Sequence, residues 1–167
     1  MYEFIYQQAR KNCFAMNERP TGKTKHGELT IDQLAEVQLG MARLMDELAD
    51  RFWYMYYSAK GGNWKLAAHN LNESKSLFRI ASTVRPKYSG DLDVFTKKYF
   101  DPIMEAIGKQ NWEQFDIAFK RSVEASDVYH DKYGFNYIRF TLPSKAPEHL
   151  DLSPPEKLRK SKSLEIE

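Results

Sequence analysis

One cysteine, Cys13, is the only thiol in this chain of 167 residues. It excludes an intramolecular disulfide and any zinc site built from several thiolates, and it fits a reducing compartment. Glycine and proline are sparse, at 8 and 7 residues, so the breaks between elements are few and easy to locate. No apolar run approaches the roughly 20 residues of a membrane span. The opening MYEFIYQQARKNCF has no basic start, no long apolar stretch and no small-residue cleavage site, so it does not read as a secretory signal. The expectation is a cytoplasmic protein that makes no membrane contact. Neither sign of charge dominates: 25 Lys and Arg against 23 Asp and Glu leave a net charge of +2, which gives no pull toward nucleic acid. The G-x-S-x-G elbow and the P-loop are also missing, which removes the usual sequence signs of nucleophilic hydrolysis and of phosphate cradling.

What the chain has is aromatic side chains, 14% of residues, set in helical periodicity. The length suits one compact domain with its own core. Tyr2, Ile5, Ala9, Cys13 and Met16 predict a short amphipathic helix, and residues 17–29 read as a loop. Thr30 and Gln33 have capping-box spacing, so a first long helix is expected to start there, with Leu34, Val37, Met41, Leu44, Leu48 and Phe52 inward. Gly61-Gly62 ends it, and Asn63 caps a second helix along Trp64, Ala67, Leu71, Ser74, Phe78 and Ala81. Arg85-Pro86 stops that helix. A third is expected from about Asp91 to Ile107, kinked or restarted near Asp101 by Pro102 and closed by Gly108. Asn111 caps a fourth, with Trp112, Phe115, Phe119, Ser122, Ser126, Tyr129 and Tyr133 on one stripe and Gly134 just past its end.

No strand pattern competes. The predicted fold is all-α: an antiparallel four-helix bundle over residues 30–152, preceded by an N-terminal helix and loop over 1–29. Tyr137, Ile138, Phe140 and Leu142 belong to a non-helical segment expected to wrap the bundle, and residues 153–167 read as a flexible tail.

Two stretches add a resemblance. YYSAKGGNWKLAAHNL, from Tyr56 to Leu71, resembles the junction of the first two helices in a family of small c-type cytochromes with the cytochrome c′-like four-helix fold. The run H-x-x-x-G-x-x-Y-I-R from His130 to Arg139, continued by LPSKAPEHLDL, is similar to the stretch just after that family's haem-attachment motif. The resemblance implies a haem held by two thioethers and ligated by the histidine of C-x-x-C-H. Here EASDVYHDKYGF supplies Ser126 and Tyr129 at the cysteine positions, so covalent attachment is excluded by chemistry and only His130 remains as an iron ligand.

The expected site lies between the helices near His130, Tyr129, Ser126, Tyr56, Trp64 and Arg139, with Arg139 facing an acidic group of a ligand. The function this implies is binding of a small apolar or aromatic ligand, or of a partner, without catalysis. A non-covalent haem b on His130 is the first alternative. A metal-dependent or acid–base enzyme, using Asp127-x-x-His130 or the His69 and Glu73 pair, is the second. His130 also reads simply as a cation at the negative end of a helix, Tyr129 as a plug in vacated haem space, and Arg139 as a surface salt bridge. The aromatic run from Arg51 to Trp64 reads as core packing and as a face for a homodimer.

Overall fold

The structure, a computed structural model, describes residues 21–154. The helix expected over residues 1–16, including Cys13, and the tail beyond Pro154 lie outside them. Within the described residues the chain is mostly helical, with one small two-stranded sheet. It divides into a unit ending at Leu39 and a unit beginning at Gly40, a boundary ten residues later than the 29/30 position read from sequence.

In the first unit, β1 (Thr21–Thr24) pairs antiparallel with β2 (Gly27–Thr30), Thr21 opposite Thr30 and Thr24 opposite Gly27. This replaces the loop and corrects the expectation of no strands. T-G-K-T and G-E-L-T have no alternation of large apolar residues. The hairpin is set instead by its tight turn, which needs φ +145° at Gly27, a conformation that side chains rarely adopt. Helix α1 (Ile31–Glu36) starts on the predicted capping box: Thr30 Oγ1 accepts from the Gln33 amide at 3.2 Å and Gln33 Oε1 accepts from the Thr30 amide at 2.9 Å. The long helix expected from that box does not form. α1 stops before Val37, which is 71% exposed, and Leu34 is also exposed. The box marks a helix start but supplies no burial to extend it, and a helix this short is not stable on its own.

The second unit carries α2 (Met41–Lys60) and α3 (Trp64–Val84), then a 3₁₀ turn at Pro86–Tyr88. After these come α4 (Ser89–Phe95), a π-helical turn (Thr96–Phe100), α5 (Asp101–Gly108) and α6 (Trp112–Lys132). The sequence-read caps hold. Asn63 Oδ1 accepts from the Leu66 amide at 3.1 Å, Asn111 Oδ1 from the Gln114 amide at 3.0 Å, and Gly134 takes φ +79° beyond α6. Gly108 does not close α5; it stays helical, and Gln110, at φ 51°, takes the left-handed position two residues later.

The predicted interruption at Pro102 is present, but as a wide turn. Proline has no amide hydrogen, and its ring presses on the carbonyl four residues back, at Lys98. The backbone answers with the π turn immediately ahead of it. The inserted residue shifts the inward face, so the buried positions run Phe95, Phe100, Ile103, Ala106 and Ile107 rather than through Tyr99.

Phe100 sits at the centre of the interior. Its ring lies 4.9 Å from Phe78, 5.3 Å from Phe95 and 5.7 Å from Phe52, and Phe52 continues to Phe119 at 5.4 Å. Buried polar residues on the inner faces are satisfied within their own helices: Ser58 Oγ donates to the Tyr54 carbonyl, Ser74 to Asn70 and Ser122 to Phe119. Replacing Phe100 by Ala removes a fully buried ring and should cost about 3–5 kcal/mol. Urea unfolding followed by circular dichroism measures that loss, and a midpoint within error of the wild type would contradict the packing described.

Candidate functional site

Helix α6 carries three of the six residues expected to form a site, and the six fall into two groups along it. Fourteen residues of helix separate Phe115 from Tyr129, about 21 Å at a rise of ~1.5 Å per residue. Tyr56 and Trp64 lie at the first end. The Tyr56 ring is 5.4 Å from Trp112 and 5.0 Å from Phe119, and Trp64 stands edge-on to Phe115 at 6.1 Å. The Tyr56 hydroxyl donates to Asp116 Oδ1 at 3.2 Å, and Asp116 is paired with Lys120 at 2.6 Å. Desolvation, and after it the Asp116 charge, holds that phenol above its ordinary value. Ser126, Tyr129, His130 and Arg139 lie at the other end. The single pocket expected around all six residues is therefore not assembled; the pattern gave the shared stripe but not the length of helix between its ends.

At the second end Ser126, His130 and Arg139 are tied to the chain itself, while Asp127 Oδ1 is buried without a hydrogen-bond partner. Ser126 Oγ donates to the Val123 carbonyl at 2.7 Å, which directs it away from His130. His130 Nδ1 lies 3.1 Å from the Ile138 carbonyl oxygen. A carbonyl only accepts, so Nδ1 carries the proton, and the ring fastens the departing chain to the helix end. Arg139 Nη2 donates to Asp131 Oδ1 at 2.7 Å, and Nε stands 3.8 Å from Asp127 Oδ2. The surface salt bridge, one of the two readings of Arg139, is what forms. Tyr129 packs its ring edge-on against Phe95 at 5.7 Å.

A clamp from the next turn completes this end. Asp91, in the first turn of α4, accepts from Lys132 Nζ and from the Tyr133 hydroxyl, the latter at 2.6 Å. Tyr133 in turn stands perpendicular to Tyr88 at 4.6 Å.

His69 is exposed on the outer side of α3. Among the described residues no group of three or more His, Cys, Asp and Glu is placed to hold a metal ion, and Asp127 faces Arg139 rather than a shared site with His130.

The aromatic run on α2 is used in a way the sequence did not show. Its inward members enter the core, and its outward members hold the C-terminal segment. Trp53 Nε1 donates to the Lys145 carbonyl at 2.8 Å, and the Tyr57 hydroxyl to the Pro143 carbonyl at 2.8 Å. Tyr54 Oη lies 3.3 Å from His149 Nε2, and Asn63 Nδ2 donates to the Ser153 carbonyl at 2.8 Å. The segment wraps as expected through Phe140 and Leu142, which pack on the core, but Tyr137 and Ile138 are exposed. The face offered for a homodimer thus carries the chain's own segment. The readable signal was the pairing of Trp and Tyr polar tips on one helix face with a Pro-rich stretch whose carbonyls need donors.

Sequence reasoning also missed an open groove beside α6. Lys98, Pro102, Glu105 and Lys109 line one wall, and Gln114, Ile117, Ala118 and Arg121 the other, around about 670 Å³.

The Lys132 and Tyr133 hydrogen bonds hold the Asp91 carboxyl below its ordinary value. A carboxylate depressed on folding adds stability above its unfolded pKa and loses it as the pH falls through the folded one. Asp91→Asn should therefore lower the Tm at pH 7, and the gap to wild type should narrow as the pH falls below about 4. Thermal melts across that range measure it, and a gap independent of pH would mean that the pair adds nothing.

No protein-family model, no curated protein and no solved structure matches this chain.

Proposed function

We propose that this chain is an antiparallel four-helix bundle of cytochrome c′-like plan in which aromatic packing has taken the place of haem, and that it works as a non-catalytic binding protein for a small ligand. The four helices in this reading are α2, α3, the α4–π turn–α5 stretch and α6. The observation that carries it is that His130, Ser126 and Arg139 are each engaged by the chain itself. His130 holds the Ile138 carbonyl, Ser126 the Val123 carbonyl, and Arg139 the carboxylates of α6. A general base or nucleophile needs a free partner within reach of a substrate, and these groups are bound to the backbone or to each other. Tyr129 and Phe95 do not fit a haem between them, because their rings are already in edge contact. The thioether positions hold a serine and a tyrosine.

One observation favours a second reading. The Nδ1 bond to the Ile138 carbonyl is the arrangement in which a neutral histidine ligates metal through Nε2 while its other nitrogen donates to a carbonyl. In that reading His130 holds a non-covalent haem b, and Tyr129 must leave Phe95 to admit it.

A haem titration separates the two. Purified protein and His130→Ala are titrated with hemin, with absorbance followed near the Soret band. The expected result is no saturable one-to-one band that depends on His130. A tight one-to-one band lost in the variant would replace the first reading with the second.

A further inference from the structure

We infer that the groove between the π turn–α5 stretch and α6 binds a small anionic amphiphile, a carboxylate or sulfonate carried on an apolar body. This rests on the reading of the chain as a non-catalytic binding protein and names the place and the class of what it binds.

The lining is one face of each wall. Lys98, Pro102, Glu105 and Lys109 recur at helical spacing, as do Gln114, Ile117, Ala118 and Arg121. The floor is apolar: Tyr99, Pro102, Ala106, Ile117 and Ala118, with Ile117 left 49% exposed. Its volume, about 670 Å³, lies within the usual range for small-molecule sites of roughly 300–1,000 Å³.

The charges on the rim decide the class. Lys109 is paired with Glu105 at 2.6 Å, so those two cancel. Among the described residues, Lys98 and Arg121 have no acidic partner within 4 Å. Two unbalanced cations therefore border an apolar floor. A neutral ligand leaves them unused and a cationic one is repelled, whereas an anion meets both while its body covers Ile117. The second groove, between α3 and α4, lacks this combination: its lining is mostly hydroxyl and charged, and its Lys75 is already paired with Asp101.

The probe is dodecanoate below its micellar concentration, with dodecanol as the neutral counterpart and dodecyltrimethylammonium as the cationic one. Amide chemical shifts are followed in labelled full-length protein. The expected result is saturable one-to-one binding of dodecanoate with shifts confined to residues 98–109 and 114–121. Affinity should fall about tenfold or more for dodecanol and for Lys98→Glu with Arg121→Glu, the scale of one lost charge-assisted contact. Both substituted side chains lie on the surface, and circular dichroism checks that the variant folds. Ile117→Ser, which keeps the charges, should weaken binding by removing the floor. Equal binding of dodecanol, or no saturable shift with dodecanoate, overturns the proposal. Shifts centred on other residues overturn the groove while leaving the binding-protein reading standing; failure of that reading is seen separately, in a His130-dependent Soret band.

Discussion

The interior depends on two phenylalanines being buried on either side of one wide turn. In a regular α-helix Phe95 and Phe100, five residues apart, point in directions about 140° apart. The π turn ahead of Pro102 brings both inward, and the ring contacts among Phe52, Phe78, Phe95, Phe100 and Phe119 depend on that. A proline that cannot donate and a backbone that must keep its remaining amides bonded thus set which aromatic faces meet. Tyr99 stays partly buried at the edge of the core, 4.8 Å from Phe95, and also borders the groove.

The seams of α3 and α6 were legible because each is a single uninterrupted period. Every member of the α3 seam from Ala67 to Ala81 is buried, and Phe115, Phe119 and Ser122 on α6 are too. The caps at Asn63 and Asn111 were legible for the same kind of reason, being local side chain to backbone bonds that need only the right residue at the right offset. What failed to show is what depends on accumulated burial or on distant partners. The apolar spacing that runs through Leu34 and Val37 into Met41 matches a continuous helix, yet the chain breaks ahead of Met41, and among the described residues Leu34 and Val37 stay exposed. The hairpin has no apolar alternation to announce it. Of the candidate site, the grouping was not legible, since Tyr56 and Trp64 belong to other helices and meet α6 at the end away from Ser126, Tyr129 and His130.

Charge is arranged by the same local pairing on much of the surface. At the end of α6, His130, Lys132 and Arg139 each find an oxygen partner within hydrogen-bonding distance, and Asp91, Asp127 and Asp131 are drawn into that set. The helix terminus presents carbonyls and a negative dipole, so basic groups collect there. At the groove beside α5, Lys98 and Arg121 stand on the rim of an apolar floor instead of at a helix end.

The segment that crosses α2 has a consequence for the order in which the molecule is made. Trp53 and Lys145 are 92 residues apart in sequence, and Tyr54 and His149 are 95 apart. Contacts that distant carry a large closure entropy, so they form after the local helices. During synthesis from the N-terminus, α2 emerges with a row of aromatic side chains whose covering does not yet exist. The nascent chain must pass through a stage with a sticky helix face that a later-made segment, residues 143–153, covers. Residues 143–153 thereby double as an intramolecular shield for that helix face.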